Sequence, residues 1–412
     1  MSSPERRNAE PASTPTDASG RRPLRVLQVI DDLERGGAQA VLLGLLRLRD
    51  PTTVDMHVAA VSSHHDPTLA DEVRAASSSV TFLGARALWD LPALAKLLRL
   101  ARELDIDVIH THLAVADVAG GIVGALARIP VVASLHSVAA DRRTHPRRRR
   151  IPAAYASRRL ATELIAVSDA VMDSQAAEVG LPPGRIRVVR NVAVGPLGLP
   201  RAFQAERKRE EVGVVRGTSI CMAARFALPK DHDTLLRAMA LVLEQRSDVA
   251  LLLAGDGPRR AELEALAAQL GVDSCVRFLG TRSDVPELLC AVDIVCNITH
   301  EAEGLSISVL DALSLGRPVV ATEIPSVAEA IDDGQTGFLV PPRDAGSTAE
   351  VLLRLIEEPP LRERVGERAR AASLASSDPG RWWNEFEQTY RRLASETPRA
   401  GFGHRRGRSP RR

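Results

Sequence analysis

The chain has 412 residues, with 54 basic and 52 acidic side chains and a formal charge of +2, so no global field selects a polyanion. Aromatic residues make up only 3%, too few for a base-stacking platform, and nucleic acid is disfavoured as a partner. One core does not serve a chain of this length, and two domains of about 180 residues with a cleft between them are expected.

Residues 1–22 are rich in Ser, Pro, Ala, Thr and charge and read as a disordered leader, too polar to offset the entropy of ordering. They contain no apolar signal segment. The longest apolar stretch, Leu113 to Leu135, is broken by Asp117, Arg128 and Pro130, short of a membrane span. Cys221, Cys275, Cys290 and Cys296 have apolar neighbours and no C-x-x-C spacing, as expected of core thiols in a reducing compartment. A cytoplasmic protein is the expectation.

The first domain is expected over residues 23–194, with strands alternating with helices. Leu24–Ile30 is an apolar run of the kind buried on both faces, and a helix follows from Ala38 to Leu48. Gly36 and Gly37, between them, either let the backbone approach a ligand closely or form a tight turn at positive φ. GxGxxG is absent, so no dinucleotide fingerprint is present. Strands are expected at Met56–Ser62 and Val80–Gly84, and a helix at Leu91–Asp105. The strand Asp107–His112 carries His110 and His112, read as one facing the cleft and one packing. Two histidines without a third ligand do not make a metal site. A glycine-rich helix, Asp117–Ala127, leads to the strand Pro130–His136, and His136 sits where the chain leaves that buried strand, a position suited to a working residue. Arg142, Arg143 and Arg147 to Arg150 form the densest basic patch: either a solvated face or a peripheral contact with anionic lipid at the inner face of a membrane. The strand ELIAVS, the cap at Ser168 and Asp169, and IRVVRNV close this half.

Residues 195–212, with two glycines and two prolines between Gly195 and Pro200, suit a hinge. The second domain, residues 213–380, restarts the alternation at Thr218–Phe226. Arg225 and Lys230 at this strand exit are two fixed cations that can neutralise a leaving diphosphate without a metal. Asp231 and Asp233 make a D-x-D, read as helix-start caps in preference to a metal site. Leu251–Pro258 is a strand ending in Gly255, Asp256 and Gly257, Val276–Gly280 is a further strand, and VDIVCNIT leads into the densest chemistry of the chain. There Glu303 and Gly304 close a loop, Leu305 follows, Ser306 and Ser308 are candidate N-caps, and Val309, Leu310, Ala312 and Leu313 have helical spacing. Such a helix start can hold a phosphate oxygen, while Glu303 and Asp311 can accept from hydroxyls on either side of it. Glu329 is expected to begin or cap a short helix after the strand GRPVVAT.

Glu303 and Asp311, with seven residues between them, resemble the acidic pair of retaining GT-B glycosyltransferases of family four, in which the second residue is glutamate. The resemblance runs from about Leu24 to about Leu393. It implies an α/β GT-B fold of two Rossmann-like domains with parallel sheets facing a central cleft. It implies that His136 contacts the donor sugar from the first domain, that Arg225 and Lys230 stabilise the nucleoside diphosphate, that Glu303 approaches the sugar and that Asp311 holds the ribose. Gly255 and Gly257 resemble the second glycine turn, Asn191 the strand-end asparagine, and residues 281–285 would flank the base. The helix of residues 381–397 would cross back onto the first domain. The basic tail 398–412 reads as disordered.

Together these readings describe a metal-independent hexosyltransferase that needs no cofactor and uses a nucleotide sugar as co-substrate. Catalytic roles fall to His136, Arg225, Lys230 and Glu303, and donor contacts to Gly36, Gly37, Gly255, Gly257, Gly304, Leu305, Ser306 and Asp311. A catalytically weak or inactive nucleotide-sugar-binding partner subunit is the alternative, raised by the aspartate at 311. An epimerase or phosphorylase is the third reading, and no residue declares itself as a pyridoxal lysine.

Overall fold

LRVLQVI at Leu24–Ile30 and TSICMA at Thr218–Ala223 become inner strands of two parallel sheets, their side chains apolar on both faces as burial under two layers of helices requires. The computed structural model describes residues 22–87, 90–138, 159–179, 183–199, 203–214, 217–301 and 303–397. The leader up to residue 21, the basic patch Arg142 to Arg150 and the tail 398–412 lie outside the described residues.

The first sheet contains β1 (Leu24–Ile30), β2 (Val54–Ala60), β3 (Ser79–Phe82), β4 (Val108–His112), β5 (Val131–Leu135), β6 (Glu163–Ala166) and β7 (Ile186–Val188), in the order β3-β2-β1-β4-β5-β6-β7. The second contains β8 (Thr218–Ala223), β9 (Val249–Ala254), β10 (Val276–Gly280), β11 (Ile294–Asn297), β12 (Val319–Thr322) and β13 (Phe338–Val340), ordered β10-β9-β8-β11-β12-β13. Every strand pair is parallel. In each sheet the strand order reverses beside the first strand, between β1 and β4 and between β8 and β11. Loops leaving the carboxyl ends of those strands diverge and open a crevice, where ligands collect in such sheets.

Two expected elements fall differently. The helix expected from Asp117 begins at Ala114, because its cap comes from far away in sequence: Asp31, at the end of β1, accepts from the Ala116 amide at 2.7 Å. The short helix near Glu329 spans Pro325–Ala328, so Glu329 lies at its C-terminal end. Its carboxylate instead accepts from the amides of Asp169 (3.0 Å) and Ala170 (2.6 Å), at the start of the Asp169–Val179 helix of the first half. Those amides have no partners within their own helix, and an anion there is favoured by the helix dipole.

The Pro379–Glu396 helix follows the second sheet in sequence yet packs on the first. Trp382, Trp383, Phe386, Tyr390 and Leu393 share a buried cluster with Val26 and Met56 of the first sheet. At its outer edge Arg187 of β7 bridges Glu163 (2.9 Å) and Glu385 (2.7 Å). No helix among the described residues is long and apolar enough to cross a membrane.

Phe386 is 2% exposed, and truncating a buried aromatic costs about 3–5 kcal/mol. Phe386→Ala is therefore expected to lower the denaturant-unfolding free energy of the first half by that amount. A loss within the surface range, about 0.5 kcal/mol, would show the helix to be peripheral.

Candidate functional site

Residues 229–231 run antiparallel to residues 298–300. The Asp231 amide donates to the Ile298 carbonyl (3.0 Å), the His300 amide donates to the Pro229 carbonyl (2.8 Å), and Lys230 pairs with Thr299. This short ladder carries Lys230 from the loop after β8 to the end of β11. There its ammonium donates to Asn297 Oδ1 at 2.8 Å and to Glu303 Oε1 at 2.5 Å, and Asn297 Nδ2 donates to Glu303 at 3.4 Å. An ammonium has three hydrogens, so one remains for a further acceptor. Asn297, 1% exposed, gives no sequence signal beyond ending an apolar strand. Arg225, in the loop after β8, is exposed, and its guanidinium has no hydrogen bond or ion pair among the described residues. The structure thus joins Lys230 to Glu303 and leaves Arg225 free at the rim.

The helix beyond Glu303 spans Ile307–Ser314, with Ser306 at the cap position. Neither candidate serine caps it: the Ser306 and Ser308 hydroxyls bond each other at 3.0 Å. The first helical bond is Leu310 N–H to the Ser306 carbonyl, which leaves the preceding amides to an external acceptor, the arrangement that binds anions.

This helix start is pressed against the first half. A Cβ at Gly304 would lie 1.8 Å from the His136 carbonyl oxygen, and one at Gly37 would lie 3.9 Å from Ile307 Cγ1. Leu305, Ile307 and Leu310 join the apolar cluster of the first half, so Leu305 is a packing residue between the halves. Gly36 caps the Gly37–Leu48 helix in an extended conformation, and neither glycine of the pair has positive φ. The tight-turn alternative falls away, and the close approach remains. At the end of β9, Gly255 and Gly257 allow backbone contact with the Arg225 loop: added Cβ atoms would lie 2.0 Å from the Ala224 oxygen and 2.6 Å from the Phe226 oxygen.

Asp311, expected to face a ribose, is buried at the linker. Its Oδ1 accepts from the amides of Val194 (3.0 Å) and Gly195 (2.9 Å), while Oδ2 has no partner among the described residues. A Cβ at Gly195 would lie 2.3 Å from that Oδ2. The linker passes so closely that the shorter carboxylate fits where a glutamate would press on it. Burial pushes the Asp311 pKa up to about 7, against the two amide bonds.

On the first half, His110 and His112 are both buried. The expectation that one faces the cleft fails because residues two apart on a strand share a face, and their ring centroids lie 4.2 Å apart. His136 is partly exposed, and its Nε2 lies 2.9 Å from His112 Nδ1. Desolvation lowers its pKa to about 4, so the imidazole is neutral at physiological pH and does not act there as an acid. Asp31 has its pKa raised to about 7 by burial, with Asp117 and Asp32 nearby. Nothing in its sequence context distinguishes it from a solvated carboxylate.

Asp231, Asp233 and His300 bring ligating atoms within 4.8 Å of one another; Asp233 Oδ1 is buried without a partner among the described residues, and the other groups are engaged. Asp231 accepts from the Thr234 amide and hydroxyl and lies 3.1 Å from His300 Nδ1, and Asp233 pairs with Arg259 at 2.6 Å.

Family models match both halves, "Glycosyltransferase Family 4" over residues 35–192 and "Glycosyl transferases group 1" over residues 217–358. Among curated relatives, the chain is 27% identical over 239 residues to alpha-D-kanosaminyltransferase of Streptomyces kanamyceticus, covering 57% of this chain and 61% of that one. It is 30% identical over 287 residues to D-inositol 3-phosphate glycosyltransferase of Corynebacterium efficiens, covering 65% and 66%. The matched stretch thus spans a little under two thirds of these relatives' length. Among solved structures, Anabaena Alr3699/HepE in complex with UDP-glucose superposes with a TM-score of 0.79 at 23% identity, over 90% of this chain and 100% of that one.

An aspartate in the unfolded chain ionises near pH 4, whereas folded Asp311 keeps its proton to about 7. The native state therefore binds the extra proton, and stability falls as pH rises from about 4 to about 7. Asp311→Asn removes the titrating group and keeps an oxygen for both amides. Its stability relative to wild type is expected to climb across that window and level off above it, measured as urea midpoints. A constant difference at all pH values would refute the raised pKa.

Proposed function

The chain belongs to glycosyltransferase family 4, and on that premise we propose that it transfers a hexose from a nucleoside diphosphate sugar to an acceptor hydroxyl with retention of anomeric configuration. The observation that carries this reading is Lys230 held between Asn297 and Glu303 beside a helix start with free amides. A cation, oriented amides and a carboxylate in one place suit a sugar joined to a diphosphate. The complex of Anabaena HepE with UDP-glucose supports a donor of that class.

In the proposed reaction the bond from the anomeric carbon to the diphosphate oxygen breaks, and the acceptor oxygen bonds the same face of that carbon. The acceptor's proton passes to an oxygen of the departing diphosphate. Lys230, Arg225 and the amides at Ile307 and Ser308 stabilise the charge that develops on the leaving group, and the site needs no metal for that task. Glu303 accepts from a sugar hydroxyl, His136 meets the sugar from the first half, and Asp311 holds the linker at Val194 and Gly195 over the ribose side of the site. Gly36 and Gly37 leave room beside Ile307 for the pyrophosphate, and Gly255 and Gly257 shape the Arg225 loop. The acceptor lies on the side of the first half, a glycan, a lipid-linked sugar or a small polyol.

A panel of uridine and guanosine diphosphate sugars tested by thermal shift identifies the donor, since a ligand at a hundred times its Kd adds about 2.7 kcal/mol to the native state. With that donor, Lys230→Ala is expected to lower kcat by about 10²–10³, the usual effect of removing one group that stabilises a developing anion. Glu303→Ala is expected to lose transfer while still binding the nucleoside diphosphate. Equal transfer by the wild type and Glu303→Ala, or donor binding without turnover in the wild type, would instead favour a binding subunit.

A further inference from the structure

Behind His136 runs a chain of hydrogen bonds that reaches the last helix at Tyr390 and returns through His110 to Ser134 of β5. His136 Nε2 meets His112 Nδ1 at 2.9 Å, and His112 Nε2 meets Gln28 Oε1 at 2.9 Å. Gln28 Nε2 faces the Tyr390 hydroxyl at 3.4 Å and Met56 Sδ at 3.7 Å. The Tyr390 hydroxyl meets His110 Nδ1 at 2.7 Å, and His110 Nε2 meets Ser134 Oγ at 2.8 Å. Gln28, His110, His112 and Tyr390 are all 0% exposed and Ser134 is 2% exposed. The chain therefore crosses the first sheet from β5 through β4 and β1 to a helix that follows the second sheet in sequence.

The chemistry of the partners fixes the direction of each bond. A thioether carries no hydrogen and can only accept, so the Gln28 amide turns its nitrogen to Met56 and Tyr390 and its oxygen to His112. An amide oxygen only accepts, so His112 Nε2 carries a hydrogen. His112 is held neutral by burial and the neighbouring histidines, which leaves its Nδ1 bare, and the hydrogen between the two rings belongs to His136 Nε2. His136 is neutral as well, and its Nδ1 is bare. That nitrogen has no partner among the described residues. The same residue's carbonyl is the one covered by Gly304 of the second half.

We propose that Gln28 and Tyr390 are positioning residues that hold His136 as the Nε2–H tautomer, so that its bare Nδ1 accepts a hydroxyl of the donor sugar. This rests on the transfer reading for its use, but the tautomer itself does not. A bare nitrogen takes the hydroxyl's hydrogen, whereas the other tautomer would present an N–H that donates to the hydroxyl oxygen and reverses the bond, so the tautomer decides whether the sugar hydroxyl donates or accepts there. The last helix thereby reaches the reacting sugar through Tyr390 without touching it.

The test is nitrogen NMR of the full chain labelled at histidine, with the His136 resonances identified by their loss in His136→Asn. In the wild type, His136 and His112 are each expected to show a protonated Nε2 and a bare Nδ1. Gln28→Met removes the acceptor and is expected to give averaged ring nitrogens. Its kcat is expected to fall about tenfold, the size of one net hydrogen bond, with the donor KM within about twofold of wild type. Tyr390→Phe, which releases the amide but removes no bond to either histidine of the pair, is expected to change both readouts in the same direction by less. If Gln28→Met fails to fold, the wild-type spectrum and Tyr390→Phe still decide the matter. A protonated Nδ1 on wild-type His136, or ring resonances and kcat unchanged in the variants, overturns the proposal. The expected tautomers in a protein that transfers no sugar would uphold the relay and remove the transfer reading, so the two failures are distinguishable.

Discussion

Only a hydrogen atom fits between residue 304 and the carbonyl oxygen of His136, where a Cβ would stand 1.8 Å away. This contact sets how near the start of the Ile307–Ser314 helix can come to the end of β5, and the geometry of the site follows from it. Three other contacts hold the same closure. Leu305, Ile307 and Leu310 enter the apolar cluster of the first half, Asp311 takes two amides of the linker, and Glu329 takes two amides of the Asp169–Val179 helix. Apolar burial supplies the non-directional part of the attraction, and the carboxylates fix its register, because each satisfies amides that would otherwise be unpartnered.

The two faces of the crevice differ electrostatically. The second half presents charge: Lys230 and Glu303, each about one-sixth exposed, hold one another until a ligand competes. Breaking a pair this enclosed is unfavourable unless each member finds a new partner, and a donor with both phosphate and hydroxyl supplies one for each. The first half presents His136, kept uncharged by desolvation, with His112 and His110 neutral and buried behind it.

The last helix ties these faces together. It leaves the second half, seals the first sheet with aromatic side chains, and places Tyr390 within the chain of bonds behind His136, between Gln28 and His110. The covering of one core and the orientation of one imidazole are therefore parts of a single packing arrangement.

The periodicity of the sequence determined the alternation of strands and helices and the two-sheet architecture, because those depend on residues close together in the chain; the stretch from Glu303 to Asp311 was singled out by its residue types. Lys230 was legible as a cation at a strand exit, but its meeting with Glu303 depends on the ladder between residues 229–231 and 298–300. Asp31, Gln28, Asn297 and Tyr390 were not legible, since a polar residue in an apolar strand or helix looks the same whether it faces water or a distant partner. The positions of Glu329 and of the two strand histidines were misjudged for the same reason: capping and burial are decided by which element packs alongside. Gln28 and Tyr390 are 362 residues apart, and only tertiary folding brings such groups within reach. Local propensity and pattern act over a few residues, and desolvation, hydrogen-bond direction and closure come from contacts across the whole chain.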